Sequence, residues 1–397
     1  MKKVLISSFD MEVGGVERSL ISMLNNFDYD NNQVDLMLYR HKGDFMKLLP
    51  NKHNLLDEIP EYSSFRKSVA EVIKEKRYIL AMTRILANLN SKIIGKVKKV
   101  SEVGYYQMQL MWRYSLPFLP KLDKQYDVAI SYLWPHYFIA DKVKAKRKIA
   151  WIHTDYSTIE TDIDMDLKMW NKFDNIISIS DDCTKAFLDK YPTLKDKIVL
   201  IENITSPQFI INMSNEEVDD DISKVKGFKI VSTGRLCYQK AFDNAIIALK
   251  ILNDKGYKDI KWYIVGYGGD EGKLMGLIKE NKLEENFILL GKKINPYPYM
   301  KACDLYVQPS RYEGKAVTVT EARILERPTL ITNYPTAKSQ LMDGFDGNIC
   351  DLSIGGIVDG IERLYKDKNL RNKLAFNCKN TDYSNSYELE KLYKLFN

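Results

Sequence analysis

The sequence predicts an α/β protein with two parallel sheets, each covered by helices. Short apolar runs alternate with helical runs along most of the chain, as repeated βαβ units do. The chain has 397 residues, enough for two domains that each bury a core. With 28% charged and 45% hydrophobic residues, its composition is that of an ordinary globular protein rather than a disordered or fibrous one.

Taken in order, Lys3 to Phe9 reads as a short buried strand. A glycine-rich turn around Gly14-Gly15 follows it and opens a helix. Val34 to Tyr39, Val128 to Leu133, Ile149 to His153, Ile176 to Ile179 and Val199 to Glu202 are the further apolar strands of a first domain, 1–205. The series breaks at Ser206 to Gly227. There Asn215-Glu216-Glu217-Val218-Asp219-Asp220-Asp221 is polar and acidic, which predicts a linker over 206–227. Alternation resumes with Ile230 to Thr233, Trp262 to Val265, Phe287 to Leu290, Asp304 to Gln308 and Thr329 to Thr332, a second domain over 228–380.

Cys183, Cys237, Cys303, Cys350 and Cys378 are odd in number and contain no Cys-x-x-Cys, so neither a disulfide framework nor a zinc site is indicated. Met1-Lys2-Lys3 runs directly into the first strand, too short an apolar stretch for a signal peptide or membrane span. A cytoplasmic protein is expected, in which the sequon Asn203-Ile204-Thr205 has no meaning.

One region departs from alternation. Residues 61–116 read as a helical insertion in which Met82, Ile85, Leu86, Leu89, Ile93, Val97 and Val100 form an apolar stripe. Between Arg66 and Val100 ten cations face two anions, a net +8 against +6 for the whole chain. A basic amphipathic segment over 66–100 fits peripheral contact with an anionic membrane at the inner face of the plasma membrane. The alternative is a hairpin whose apolar face joins the core while its cations are merely solvated. Nothing resembling a base-reading module accompanies the charge, so nucleic acid is not an expected partner.

Four segments carry candidate chemistry. In Lys229 to Lys240 a strand ends at Gly234, and Arg235 and Lys240 follow before a helical run from Phe242. Two cations near a helix N-terminus can cradle a diphosphate, although any basic protein has surface cations. In Gln308 to Ala322, Glu313 lies in a loop after a strand and Glu321 lies eight residues on, in a helical run. Ionised carboxylates accept hydrogen bonds and suit a ligand rich in hydroxyls, but solvated glutamates are the plainer reading. His153 ends an apolar strand, where parallel sheets bind ligands; a lone histidine is more often structural. Asp155 just after it is a weaker candidate that fits a helix cap. Asp162-Ile163-Asp164-Met165-Asp166 has the spacing of a metal site, yet the diphosphate cations Arg235 and Lys240 make a metal unnecessary, and none is expected.

Together, and in this order, these segments resemble the retaining glycosyltransferases of family 4. The resemblance implies a GT-B fold, two Rossmann-like domains with parallel sheets facing a central cleft. It implies also a C-terminal helix, 381–397, that crosses back to the first domain. By the same resemblance the second domain binds a nucleoside-diphosphate sugar, UDP-linked by expectation, and the first binds a glycan or lipid-linked acceptor, as in bacterial surface polysaccharide synthesis. Arg235 and Lys240 bind the diphosphate. Glu313 contacts a donor-sugar hydroxyl near C3, Glu321 accepts from the ribose, and Gly14 and Gly15 line the cleft. His153 lies near the reacting sugar. The backbone N–H groups of Lys315, Ala316 and Val317, beyond Gly314, face sugar and phosphate.

The chain departs from the family pattern at Lys315 and Ala316, and at Ala241, where the family has glycine. No cofactor is implied. An inactive GT-B protein acting as a binding partner or chaperone would share the fold, but would be expected to have lost charges that this chain keeps. A dehydrogenase is disfavoured, because neither Gly14-Gly15 nor Gly266-Tyr267-Gly268-Gly269 makes a dinucleotide fingerprint.

Overall fold

In a computed structural model the chain forms two compact units, one of Met1–Thr205 with Asn385–Asn397 and one of Ser206–Ser384. The structure describes residues 1–397 except 99–102, 158, 219, 221 and 315.

The first unit is built on a seven-stranded sheet of order β3-β2-β1-β4-β5-β6-β7. Its strands are β1 (Lys2–Ser8), β2 (Asn32–Leu38), β3 (Asn54–Leu55), β4 (Gln125–Ser131), β5 (Lys144–Ile152), β6 (Asn175–Ser178) and β7 (Ile198–Leu200). All pair in parallel. The second unit has a six-stranded sheet of order β10-β9-β8-β11-β12-β13. Its strands are β8 (Phe228–Thr233), β9 (Ile260–Val265), β10 (Phe287–Gly291), β11 (Leu305–Gln308), β12 (Thr329–Thr332) and β13 (Asn348–Cys350). These pair in parallel too. Central strands such as Val4-Leu5-Ile6 and Leu305-Tyr306-Val307 are buried on both faces, which is why they read as continuous apolar runs rather than alternating ones. β3 and β13, two and three residues long, lack such a run and are not foreseen.

The helices that matter below are α1 (Gly15–Asn25), α2 (Tyr78–Lys98), α3 (Gly104–Ser115), α4 (Ile163–Trp170), α5 (Pro207–Met213), α6 (Phe242–Asp254), α7 (Val317–Ile324) and α8 (Glu388–Lys394). The stretch expected to be a linker is partly structured. Pro at the first position starts α5, whose Ile210 and Met213 are buried within the second unit. α8 belongs to the first unit. Tyr393 accepts from the Asp28 N–H (2.8 Å) and packs edge-on to Phe27, while buried Glu388 accepts from the Glu202 N–H (3.1 Å).

α2 and α3 form a hairpin within the first unit. Leu80, Thr83, Ala87 and Ser91 of α2 are buried, Thr83 Oγ1 shares a hydrogen with Ser115 Oγ (2.8 Å), and Asn90 donates to Tyr114 (2.8 Å). A Cβ on Gly95 would come 2.3 Å from Val103 Cγ1, so glycine permits this close approach. The stripe anticipated on this helix does not face the core. It is solvent-exposed from Met82 to Val97, while Val100 lies outside the described residues. Among the described residues no helix is long and apolar enough to cross a membrane.

Candidate active site

In the second sheet the strand order reverses between β8 and β11. Open α/β sheets bind ligands beyond the carboxyl ends of their strands at such a point. β8 delivers Gly234 and Arg235 there, and β11 leads through Gln308 to Glu313. The loops after β8 and β9 run backbone to backbone. The Gly234 N–H donates to Val265 and the Leu236 N–H to Tyr267, each at 3.0 Å. A Cβ on Gly266 would lie 1.8 Å from the Gly234 carbonyl oxygen, and one on Gly268 2.4 Å from that of Leu236. The glycines of Gly266-Tyr267-Gly268 therefore serve this packing.

Lys240 Nζ donates to Glu313 Oε1 at 2.6 Å, with the two side chains 15% and 6% exposed. The same oxygen accepts from Ser310 Oγ (2.5 Å), and Oε2 accepts from Gln239 Nε2 (3.1 Å). Behind Ser310, Gln308 Nε2 donates to its hydroxyl (2.8 Å), and Tyr306 donates to Gln308 Oε1 (2.9 Å). This relay fixes the carboxylate and leaves Oε2 the freer acceptor, able to take a ligand hydroxyl. Ser310, Gln308 and Gln239 are not singled out in the sequence, because neutral polar residues carry no charge signal.

Ala241, after Lys240, is buried and adopts a left-handed φ of 53°, a conformation that favours glycine. α6 starts directly afterwards. Arg235 is exposed and forms no ion pair among the described residues, so its guanidinium is available to an anion. Arg311 is instead committed. It meets Asp243 through two 3.0 Å hydrogen bonds and lies 4.1 Å over the Tyr238 ring. Burial pushes Asp243 up, but Arg311 outweighs it and holds the carboxyl below its ordinary range.

The Glu313 carbonyl accepts from Thr336 (2.8 Å) and that of Gly314 from Gln340 Nε2 (3.0 Å). The Ala316 N–H does not face an open site as expected. It donates to Gln340 Oε1 at 3.1 Å. At the start of α7 the Val319 N–H donates to the Ala316 carbonyl (2.9 Å), and it is at such a first turn that a helix has N–H groups to offer an anion. Lys315 lies outside the described residues. Glu321, on α7, is 1% exposed and accepts from the Tyr297 hydroxyl at 2.8 Å.

The first sheet reverses between β1 and β4. Gly14 and Gly15 follow β1 at the N-terminus of α1, Tyr132 follows β4 and His153 follows β5. The space a Cβ on Gly14 would need is held by Glu17 Oε2, 2.2 Å from that position. Burial raises the Glu17 carboxyl. The His153 ring lies 4.5 Å from that of Tyr132 and parallel to Trp151. Burial pushes His153 down to about 3, so it is neutral at pH 7, and its Nε2 meets no hydrogen-bond partner among the described residues. Ser19 donates to Asn203 (2.8 Å), so the Tyr132 hydroxyl donates to Ser19 (2.7 Å).

The acidic cluster has structural work. Asp162 caps α4 by accepting from the Met165 N–H (3.0 Å), while buried Asp166 accepts from Gln109 and Tyr191, each at 2.7 Å. Asp155 accepts from both the N–H and the hydroxyl of Ser157, closing a turn rather than capping a helix.

Residues 214–381, most of the second unit, match the family described as Glycosyl transferases group 1. The chain is 28% identical over 162 residues to the N-acetylgalactosamine-N,N'-diacetylbacillosaminyl-diphospho-undecaprenol 4-alpha-N-acetylgalactosaminyltransferase of Campylobacter jejuni, covering 40% of this chain and 43% of that protein. It is 29% identical over 164 residues to the UDP-Gal:alpha-D-GlcNAc-diphosphoundecaprenol alpha-1,3-galactosyltransferase of Escherichia coli, covering 40% and 41%. These alignments span less than half of either relative's length. Over whole chains the structure is similar to a Staphylococcus aureus TarM variant in complex with Fondaparinux, alpha-GlcNAc-glycerol and UDP, with TM-score 0.66, 15% identity and coverage of 100% of both chains. It is also similar to Anabaena HepE in complex with UDP and glucose, with TM-score 0.66, 17% identity and coverage of 99% and 98%. At these identities the likeness is one of fold, and that fold is GT-B.

Proposed function

We propose, from the match of residues 214–381 to the group 1 glycosyl transferases, that the protein is a retaining glycosyltransferase. It moves a hexosyl group from a nucleoside-diphosphate sugar, UDP-linked, to a glycan or lipid-linked acceptor in bacterial surface polysaccharide synthesis. The observation that carries this is the Lys240–Glu313 pair in the loops after β8 and β11, where the second sheet reverses, with exposed Arg235 in the same loop as Lys240 and buried Glu321 on the helix that follows Glu313.

In the reaction the bond from the sugar's anomeric carbon to the diphosphate breaks and a bond to an acceptor hydroxyl forms. The hydroxyl proton leaves with the nucleoside diphosphate or the solvent. Charge grows on the leaving diphosphate. Arg235, the remaining protons of the Lys240 ammonium and the first turn of α7 supply fixed positive potential to it. Glu313, held by Ser310 and Gln239, accepts from a donor-sugar hydroxyl, and Glu321 from the ribose. His153, a neutral imidazole, contacts a sugar hydroxyl. A lipid-linked acceptor is supported by the two relatives named for diphospho-undecaprenol substrates.

Incubation with a panel of nucleotide sugars and polyprenyl-diphosphate-linked or free glycans, followed by assay of released nucleoside diphosphate and NMR of the product's anomeric centre, tests this. Release with one donor and a retained anomer is expected. Tight nucleotide binding without turnover on any acceptor would favour the inactive binding-partner reading.

A further inference from the structure

α2 has two apolar faces, and one is uncovered. Ile79, Met82, Leu86, Leu89, Ile93 and Val97 recur every three or four residues, and each is at least 45% exposed, Val97 reaching 77%. A separate face, with Leu80, Thr83, Ala87 and Ser91, is already buried in the hairpin. The stripe is thus an additional apolar surface, not a core face turned outward. Single exposed apolar residues are ordinary, but a continuous row about 27 Å long marks a contact surface.

Charge identifies the partner. Folding consumes part of the cationic excess of this region. Arg66 pairs with Asp10, Lys67 with Glu75 and Arg77 with Glu61, while Arg84 donates to the Ser64 carbonyl. Lys92 and Lys96, which flank the stripe, are exposed and form no ion pair among the described residues, and the same holds for Lys74 and Lys76 just before the helix. α2 contains no acidic residue, so a second copy docked helix to helix on the stripe would offer Lys92 and Lys96 no anion. Anionic headgroups above an acyl boundary complement both features at once.

We propose that α2 is a membrane-docking face. The stripe enters the headgroup–acyl boundary of an anionic bilayer, and Lys92 and Lys96 sit among the phosphates. The proposal concerns the first unit and requires nothing of the donor site. It rests on the functional reading only in that a surface-bound enzyme suits a lipid-linked acceptor.

Flotation of the full chain with vesicles of phosphatidylglycerol and phosphatidylcholine in equal parts, against phosphatidylcholine alone, tests it. Binding to the anionic vesicles is expected at low salt, falling as salt rises, with much weaker binding to the neutral ones. Lys92→Gln with Lys96→Gln should weaken anionic binding roughly 30-fold at low salt, about 2 kcal/mol. Leu86→Ser with Leu89→Ser and Ile93→Ser should weaken it at least about tenfold. UDP binding should persist in both variants, which separates this outcome from failure of the donor-site reading. No binding of the native chain to anionic vesicles at low salt overturns the proposal. So does native-level binding by either variant, or a dimer that the serine variant abolishes while vesicle binding is absent. If the serine variant fails to fold, the lysine pair alone decides.

Discussion

Lys240 has three protons to donate, and Glu313 takes one of them. Lys240→Ala should therefore do two things. It removes positive potential from a leaving diphosphate, lowering kcat on the order of 100-fold. It also leaves a largely buried carboxylate without its cation, so the melting temperature should fall too. Steady-state kinetics with calorimetric melting separates the two, and near-native kcat would take Lys240 out of the site. Glu321→Gln is gentler, because the amide oxygen still accepts from Tyr297. The lost charge should cost nucleotide binding roughly 1–3 kcal/mol by titration calorimetry, and unchanged affinity for every nucleotide tested would contradict the ribose role.

At the scale of elements, the site depends on two loops that touch through glycine. A Cβ on Gly266 would overlap a backbone oxygen, which no rotamer change can relieve. Gly266→Ala should lower stability by about 1–3 kcal/mol, and more if the loops cannot part, and should weaken UDP binding. Gly269→Ala, where nothing lies within 4 Å, is the control and should leave both unchanged. Equal behaviour of the two variants in melting and binding would refute this account of the loop.

For the whole molecule, acid acts unevenly. All four histidines, His41, His53, His136 and His153, lie in the first unit. Burial, together with the charge of His153, pushes His136 down to about 3. In the unfolded chain a histidine titrates near about 6.5. Below that pH the unfolded state takes a proton that the native state refuses, so stability falls as pH drops from about 6.5 toward 3. For His136 the slope is about 1.4 kcal/mol per pH unit. Glu17 and Asp166, whose carboxyls burial raises, act in the opposite sense. NMR should show no titration of the His136 or His153 ring between pH 8 and 5, and hydrogen exchange at pH 5.5 should show the first unit loosening before the second. A ring that titrates near 6.5 would refute the burial argument. Turnover should also survive EDTA, since Asp162 and Asp166 are spent on a helix cap and a buried hydrogen-bond pair. Loss with EDTA and recovery with magnesium or manganese would return a metal to the mechanism.

The alternation of apolar runs was enough to give two parallel sheets, because strands buried on both faces must be apolar throughout. The charged candidates were legible for a simpler reason, since Arg235, Lys240 and Glu313 are charges in loops that follow strands and Glu321 is a charge in the helical run after them. Other features were not legible, because they depend on which atoms meet across long stretches of sequence. Ser310 and Gln239 steer Glu313 through single hydrogen bonds. Gln340 takes the Ala316 N–H from a different helix. The acidic stretch before the second sheet is preceded by a packed helix. Above all, the pattern of α2 could show an apolar stripe but not whether anything covers it. Periodicity specifies a face, and only tertiary packing decides which face is spent on the core. Here Leu80, Thr83, Ala87 and Ser91 fill that role, and the richer stripe is left to solvent.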